Sequence, residues 1–314
     1  MMNPSGVTAV DTRVIVSKEY SCEEKMAVEQ TFQRVAVVSG ANVPEAGPLA
    51  GEIMDYLRET GLGVIGAELG DDKLAQQVSA GEIDLVITLG GDGTVLRAGH
   101  LCAPFDVPIL AINLGRFGFL IEIWPDGWQK ALDNLLSGEY WYERRMMLRT
   151  EQWRGGACLG KWEVLNEAMI GRGEIARPVR LVTRLDGRPL TTYVADGLLV
   201  STATGSTAYA LAAGGPILPP EMRNILVVPI APHLSVDRAI VLAEGSTISV
   251  IVRCDHRVVL SVDGQLPVDL VDGDRVEVCG SDHSVRFVRF QDPGYFYRHL
   301  ITLMDQNPSA GDLV

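Results

Sequence analysis

An apolar segment from Ile83 to Leu89 runs directly into Gly90-Gly91-Asp92-Gly93-Thr94, and a helical pattern continues from Thr94 towards Leu101. A short apolar strand followed by glycines and a helix is typical of an α/β protein with a parallel sheet. Such sheets bind ligands at the edge where their strands end. This junction therefore predicts both a fold class and the place of a binding site.

The sequence on both sides of this junction repeats the same alternation. Short apolar strands are predicted at residues 35–38 and 108–112. One helix is expected to begin near Pro48 and stop at Gly61, and another to run from a cap at Asp126 to Gly138, with Trp128, Ala131, Leu132, Leu135 and Leu136 inside. Strands that alternate with helices predict a parallel sheet with helices on both faces.

After about residue 145 the pattern changes to short β-rich segments. These are predicted at residues 146–152, 179–185, 247–252, 258–262 and 285–290, with hairpin turns at Asp186-Gly187 and Asp263-Gly264. The predicted architecture is an N-terminal parallel-sheet α/β domain and a C-terminal, mostly antiparallel β domain. The predicted divisions are an N-terminal tail over 1–30, an α/β domain over 31–145, a β-rich domain over 146–290, and a segment over 291–306 that packs back on the first domain.

Charge and cysteine usage limit the partners. The net charge is −13, which argues against nucleic acid because binding it requires a surplus of Lys and Arg. No apolar run reaches the length of a membrane span, and no secretory signal is evident. The cysteines are scattered and the histidines show no ligand spacing, so we predict a reducing, cytoplasmic location and no protein-bound metal site.

Two glycine motifs need separate interpretations. Residues 61–66 read GLGVIG and fit the dinucleotide fingerprint, but they follow a helix and precede a strand, the reverse of the order that it requires. In the GGDGT motif, Gly90, Gly91 and Gly93 allow backbone N–H groups to approach phosphate oxygens. Asp92 is suited to accepting a hydroxyl proton or to holding a metal. The alternative interpretation is a glycine turn with Asp92 as a helix cap.

Two further polar clusters follow. Asn166-Glu167 interrupts a strand-like stretch, and its carboxylate and amide oxygens suit ribose hydroxyls. Residues 196–209 carry Asp196, several small hydroxyl residues around Gly205, and Tyr209, before a Gly-Gly-Pro at 214–216. Such a loop suits an adenine edge and a ribose. Its simpler interpretation is a Ser/Thr-rich helix start.

Taken together and in this order, the GGDGT, Asn-Glu and TGSTAY motifs resemble the NAD kinase family. The segment from Ala111 to Leu120 is similar to that family's NxGxLGFL, with Phe117 in place of the usual Leu, and the resemblance covers roughly residues 33–300. Ala203, where Pro is usual, and Ala212, often Ser, depart from the pattern, so a shifted loop is expected there. The GGDG motif alone is shared with lipid kinases and phosphofructokinases.

The resemblance implies transfer of a phosphoryl group to the 2′-hydroxyl of the adenosine ribose of NAD, giving NADP, with Asp92 as the proton acceptor. It implies that Gly93 lines the dinucleotide, that Asn166 and Glu167 hold ribose and phosphate groups, and that Asp196 faces the nicotinamide. The positions around the adenosine would be Thr204, Thr207, Ala208, Tyr209, Ala210, Leu211 and Ala212. The peripheral contacts would be Arg97, Phe119, Arg177 and Gln265.

The resemblance also implies Mg²⁺ on the donor phosphates and a homodimer or homotetramer. The donor, ATP or polyphosphate, and the choice between NAD and NADH stay open at this point. Two rival functions share parts of the pattern. One is a lipid kinase of the diacylglycerol or sphingosine type, and the other is a non-catalytic regulator that binds NADP(H).

Overall fold

The computed structural model describes residues 32–40, 46–114, 118–174, 177–233, 237–297 and 300. Several predictions lie outside these ranges and stay predictions. They are the tail over 1–30, the part of the packing-back segment beyond 300, and the family-like position Phe117.

The first half alternates strands and helices as predicted. Its elements are β1 (Arg34–Ser39), α1 (Ala46–Glu59), β2 (Gly63–Glu68), α2 (Asp72–Ser79), β3 (Leu85–Leu89), α3 (Asp92–Cys102), β4 (Ile109–Ile112) and α4 (Trp128–Leu136). The strands pair in parallel in the order β2-β1-β3-β4. Residues 61–66 form the stop of α1 and the start of β2, so the dinucleotide fingerprint is excluded there.

Alternate residues of β1 show why helices cover both faces of this sheet. Ala36 and Val38 pack in one core cluster with α2 and α3, whereas Val35 and Val37 pack in another with α1 and α4. Successive side chains of a strand point to opposite faces, so a continuous apolar strand needs cover on both. The predicted doubly covered parallel sheet is confirmed.

Three local expectations differ from the structure. Helix α2 was not expected, because only Leu74 and Val78 of its eight residues are buried, and its N-cap is Asp71, which accepts from the Lys73 N–H at 2.9 Å. Asp126 does not cap α4, since it lies in a 3₁₀ turn and the N-cap residue is Gly127. Leu136 is 43% exposed rather than internal, because α4 ends there and turns away.

The second half is built from antiparallel strands. They are β5 (Trp141–Arg154), β6 (Ala157–Val164), β7 (Glu167–Arg172), β8 (Val179–Leu185), β9 (Arg188–Ala195), β10 (Gly197–Ser201), β11 (Asn224–Ile230), β12 (Ile240–Ala243), β13 (Ile248–Arg253), β14 (Val258–Val262), β15 (Val268–Leu270) and β16 (Arg275–Arg289). A 3₁₀ turn (Thr204–Thr207) and the single-turn helix α5 (Tyr209–Ala212) follow β10.

Both predicted hairpins are present. Asp186 and Gly187 connect β8 to β9 with φ of 49° and 76°. Asp263 and Gly264, with φ of 47° and 68°, form the turn that begins the 263–267 connection between β14 and β15. Positive φ at two successive residues is the geometry of the type I′ turn that an Asp-Gly pair favours.

One large sheet contains strands from both halves of the chain. β4 of the parallel set pairs with β16 through Ile109 and Phe287, and the sheet continues through β13, β8 and β9, with β5 and β6 attached. A second sheet, in the order β12-β11-β10-β7-β14-β15, packs face to face against it around one apolar core. The predicted division at residue 145 falls inside β5.

Within the described ranges, every helix is too short or too polar to cross a bilayer.

Candidate active site

Asp92 is the first residue of α3, at the carboxyl end of β3. Its Oδ2 accepts a hydrogen bond from the Phe119 N–H at 2.8 Å, and its Oδ1 accepts one from the Leu120 N–H at 3.2 Å. The N-cap of α3 is Gly91, without a side-chain cap bond, so the helix-cap interpretation of Asp92 is wrong. The carboxylate is directed across a gap to another chain segment.

The two amides hold Asp92 and leave it chemically available. Each carboxylate oxygen has two lone pairs, so each keeps acceptor capacity after its amide bond. Burial raises the pKa of Asp92 above the usual range, opposed by the hydrogen bonds from Phe119 and Leu120 and by the charges of Arg145 and Arg289. A carboxylate whose pKa lies nearer to the working pH is a better proton acceptor.

Two glycines allow this approach. A Cβ on Gly118 would lie 2.2 Å from Asp92 Oδ1, so the 118–120 segment reaches the carboxylate only because residue 118 has no side chain. Gly90 has φ of 156°, and a Cβ there would lie 2.4 Å from Thr94 Oγ1. Both positions therefore need glycine for the loop to keep its shape.

The Asn166-Glu167 turn is held from one side by a second aspartate. The side chain of Asp263 is fully buried, and its two oxygens accept from the N–H groups of Leu165 at 2.7 Å, Asn166 at 2.8 Å and Glu167 at 2.9 Å. Charge-assisted bonds of this kind are about twice as strong as neutral ones. Asp263 therefore fixes the backbone of the predicted ribose-binding pair.

The hydroxyl-rich segment holds the same turn from the other side. Thr202 Oγ1 donates to the Leu165 carbonyl at 2.5 Å, and Ser201 Oγ donates to the Asn166 carbonyl at 3.0 Å. A Cβ on Gly205 would lie 2.2 Å from that Asn166 oxygen, which explains the glycine in the TGST sequence. The second and third sequence clusters thus form one connected unit.

His100 connects this unit to α3. Its Nε2 lies 2.6 Å from Asp263 Oδ2, and Gln265 Nε2 lies 3.3 Å from its Nδ1. Asp92 and His100 belong to the same helix. Helix α3 therefore carries the proposed base at one end and, near the other end, contacts Asp263, which holds the Asn166-Glu167 turn. This arrangement brings Gln265 to the same region as Asn166 and Glu167.

Glu167 has an unusual electrostatic environment. Burial, followed by the charge of Asp263, raises the pKa of its carboxyl to about 8. Its Oε2 is buried, and none of the residues described by the structure gives it a hydrogen bond. A protonated carboxyl at this position is a donor as well as an acceptor, which suits a sugar hydroxyl or a phosphate oxygen.

A further polar cluster lies behind Asp92, and we name it the buried quartet: Glu143, Arg145, Arg289 and Tyr295. Glu143 Oε2 accepts from Arg145 Nη2 at 3.0 Å and from Arg289 Nε at 2.8 Å. Burial works to raise the pKa of Glu143, but the two guanidinium groups outweigh it and lower that pKa to about 2. Tyr295 Oη bonds to both Arg145 and Glu143.

The remaining predicted contacts lie nearer the surface. Asp196 pairs with Arg172 at 2.9 Å between β9 and β10, Arg177 lies 3.9 Å from Asp255, and Arg97 is exposed. In the loop after β10, Thr207 Oγ1 donates to the Thr204 carbonyl at 3.2 Å, and Tyr209 is 44% exposed.

The residues of the single-turn helix α5 differ in their exposure to solvent. Ala210 is fully buried in a small core cluster, whereas Leu211 is partly exposed and Ala212 is exposed. Ala208 adopts φ −99° and ψ −129°, which breaks the helical path before α5.

Sequence reasoning did not identify the quartet, His100, Asp263 or Gly118 as site residues. Glu143 and Arg145 lie two residues apart on β5, so they share one face of the strand. Two charged side chains of opposite sign, spaced to share one face beside Trp141 and Met147, are a usable signal, but their meaning depends on knowing that this part of the face is internal. For Asp263 the sequence predicts a hairpin turn within a family-like segment, and no role in holding the Asn166-Glu167 turn.

The described residues include no group of three or more His, Cys, Asp or Glu side chains placed to hold a metal ion. Mg²⁺ bound through substrate phosphates keeps several waters and needs few protein ligands. The donor set around Asp92 fits a cation that arrives with a phosphate ligand.

An aspartate held at the glycine-lined start of a helix, whose other end contacts the Asn166-Glu167 turn and the loop that supports it, is the arrangement expected of a kinase with a GGDG loop. Residues 10–140 match the family model described as ATP-NAD kinase N-terminal domain, and residues 165–290 match ATP-NAD kinase C-terminal domain. The chain belongs to the NAD kinase family and is an enzyme of the kinase class.

Individual relatives agree with this assignment. The chain is 40% identical over 273 residues to an NAD kinase of Chloroflexus aurantiacus, covering 86% of this chain and 98% of the relative. It is 36% identical to an NAD kinase of Syntrophotalea carbinolica, covering 84% and 96%.

Solved structures are similar as well. The structure of yeast NADH kinase complexed with NADH superposes with a TM-score of 0.77 at 27% identity, covering 91% of each chain. An NAD kinase from Archaeoglobus fulgidus in complex with ATP gives a TM-score of 0.69 at 24% identity, covering 87% of this chain and 99% of that one, which supports the fold.

Proposed function

We propose that this enzyme transfers a phosphoryl group from ATP to the 2′-hydroxyl of the adenosine ribose of NAD, with Asp92 as the proton acceptor. The observation that carries the proposal is the state of Asp92, a partly exposed carboxylate with a raised pKa, held by two amides at the N-terminus of α3. Phosphoryl transfer depends mainly on alignment and on stabilising phosphate charge. A fixed acceptor for the hydroxyl proton meets the first need.

The dinucleotide would bind between Asp92 and the clamped turn. We assign ribose and phosphate contacts to Asn166 and Glu167, and adenosine contacts to Thr204 and the residues from Thr207 to Ala212. The support is that Asp263, Ser201 and Thr202 fix the backbone of this turn from both sides. Preorganised groups lose less freedom on binding than mobile ones. Asp196 would lie towards the nicotinamide, paired with Arg172.

The glycine loop would receive the phosphates. Gly90, Gly91 and Gly93 precede or begin α3, whose N-terminal N–H groups and dipole favour anions. Mg²⁺ on the donor phosphates would neutralise charge that develops during transfer. Arg97, Phe119, Arg177 and Gln265 are the peripheral contacts in this proposal. We also propose a cytoplasmic homo-oligomer, from the family resemblance and from the scattered cysteines.

The test is an assay of the purified protein with NAD, Mg²⁺ and either ATP or polyphosphate, in which NADP is detected by an NADP-specific dehydrogenase. We expect NADP with ATP. A parallel reaction with NADH defines the preferred redox form, and diacylglycerol and sphingosine serve as acceptor controls.

Two outcomes would contradict the proposal. A phosphorylated lipid without NADP would assign the chain to the lipid kinases. Tight binding of NADPH with no turnover under any donor would indicate a regulator that has kept the pocket.

A further inference from the structure

The buried quartet contacts two segments that border the proposed site, but it is too buried to contact a ligand itself. We call these segments the two walls: residues 118–120 and the loop that starts at Thr204. Arg289 and Arg145 are only 1% and 3% exposed. Arg289 Nη1 donates to the carbonyl oxygen of Leu120 at 3.0 Å, and the N–H of that same Leu120 donates to Asp92. One residue therefore lies between a buried guanidinium and the proposed base.

The second guanidinium reaches the other wall. Arg145 Nη1 donates to Thr204 Oγ1 at 3.2 Å, at the start of the loop proposed for the adenosine. Arg145 and Arg289 are fixed relative to each other because both donate to the same Oε2 of Glu143. A movement at one wall is thus opposed by bonds that end at the other wall.

The geometry around Arg289 leaves little freedom for rearrangement. Its guanidinium lies 4.9 Å from the ring centroid of Phe287 and 5.4 Å from that of Tyr295, within the range of cation–π contacts. Arg145 is 5.9 Å from Phe287. A planar guanidinium with five donors can hold a carboxylate, a carbonyl and a ring face together, which a lysine cannot.

Charge supports the same role. Two guanidinium groups and one carboxylate carry a net charge of about +1 in a buried region, and an uncompensated buried charge is costly. Asp92 and Glu122 are the acidic groups that feel this charge. Burial raises the pKa of Glu122, against the opposing charge of Arg289. An ionised Asp92 therefore offsets the charge of the quartet.

We propose that the buried quartet consists of positioning residues for phosphoryl transfer. Its side chains fix the backbone of Leu120, which holds Asp92, and align that backbone with the loop at Thr204. The role of Asp92 itself rests on the proposed function. The positioning of the 118–120 segment is a property of the free protein and does not.

The experiment compares Arg289→Gln, Arg289→Lys and Tyr295→Phe with a control, Arg154→Gln. Arg154 is the last residue of β5, at the end away from Glu143 and Arg145. It also donates two hydrogen bonds of 2.8 Å to a fully buried carboxylate, that of Asp274. Each variant is assayed for kcat and for KM of NAD and ATP. Hydrogen exchange at the amides of Phe119 and Leu120 is measured without substrates, and thermal unfolding is recorded for each.

For Arg289→Gln we expect kcat to fall roughly 10- to 100-fold, the effect of a small misplacement at a reacting group, with KM values within about threefold. The amides of Phe119 and Leu120 should exchange faster. Arg289→Lys should recover part of kcat because it restores the charge. Tyr295→Phe should show a smaller change of the same kind. Arg154→Gln should lose stability while keeping kcat and the exchange rates at 119 and 120.

A folded Arg289→Gln with unchanged kcat, or unchanged exchange at Phe119 and Leu120, would overturn the proposal. So would an equal loss of kcat in Arg154→Gln at the same loss of thermal stability. If Arg289→Gln fails to fold, Arg289→Lys and Tyr295→Phe decide the matter by the same two measurements. A wild-type protein without NADP formation would refute the proposed function, while the exchange data would still test the positioning.

Discussion

Asp92 and Asp263 are both held by backbone amides, but their surroundings make them suited to different tasks. Asp263 is fully buried and uses its oxygens on three amides and His100. Asp92 is partly exposed, accepts from two amides in the part of the chain that the structure describes, and has the quartet behind it. The comparison shows that a carboxylate saturated with donors fixes backbone, whereas one with remaining lone pairs and an open side can act on a ligand.

Replacing Asp92 should give the largest effect. We expect Asp92→Asn to lower kcat by about 10³-fold or more, because an amide oxygen cannot accept the hydroxyl proton and general-base loss costs roughly 10²–10⁴. The affinity for NAD should stay within about tenfold. Steady-state kinetics and calorimetric titration with NAD measure the two quantities. Turnover close to that of the wild type would show that Asp92 is not the base.

Replacing Asp263 should affect stability more than chemistry. Asp263→Ala leaves three amides and His100 without their acceptor, and each unsatisfied buried group costs about 1–3 kcal/mol. We expect the unfolding free energy to fall by roughly 3–5 kcal/mol, as measured by denaturant titration. Asp282→Ala is the control, since that side chain is 96% exposed. A loss of less than about 1 kcal/mol would show that solvent replaces the clamp.

Crowding Asp92 should have a smaller effect on activity. The new methyl group of Gly118→Ala would overlap the Asp92 carboxylate and move it, so we expect roughly a tenfold fall in kcat. The melting temperature should change little, because residue 118 lies outside the helices and strands and the Asp92 side chain can move to relieve the overlap. Gly51→Ala, at an open helical position, is the matched control and should keep full activity. Equal kcat in both variants would contradict the close contact.

The last prediction concerns the pH dependence of stability. Glu167 has a pKa of about 8 in the folded protein, against 4.5 for the ordinary group, so between these values the folded state binds more protons than the unfolded state. The unfolding free energy should therefore fall as pH rises from 5 towards 8, by up to about 1.4 kcal/mol per pH unit. Glu167→Gln should flatten this slope in denaturant titrations of the free protein. An unchanged slope would show that Glu167 is ionised throughout.

Much of the fold follows from local patterns. The apolar strands β1, β3 and β4, the glycine junction and the two Asp-Gly hairpins carry their own signals, so both the parallel half and the antiparallel half were predicted. Helix α2 was missed because a short helix with two buried residues has little periodicity. The pairing of β4 with β16 joins residues 109 and 287, which no local pattern specifies.

The site, like the fold, has one part that local sequence predicts and another that depends on distant contacts. The motifs point to Asp92, Asn166 and Glu167, because each stands in an unusual local setting. The groups that hold them, such as Asp263, His100 and Arg289, are far away in the sequence and meet them only through tertiary packing. Their roles lie in hydrogen bonds across 96 to 169 residues of chain.

The sheet that passes from β4 into β16 has a mechanical consequence. In many two-part kinases the halves rotate about a flexible joint to enclose the substrate. Here such a rotation would break the backbone hydrogen bonds between β4 and β16 at Ile109 and Phe287. It would also distort the long antiparallel pair of β5 and β16 beside them. The turn at 118–120 and the loop after Ser201 therefore stand on one continuous frame, which keeps their positions relative to each other the same before and after a ligand binds.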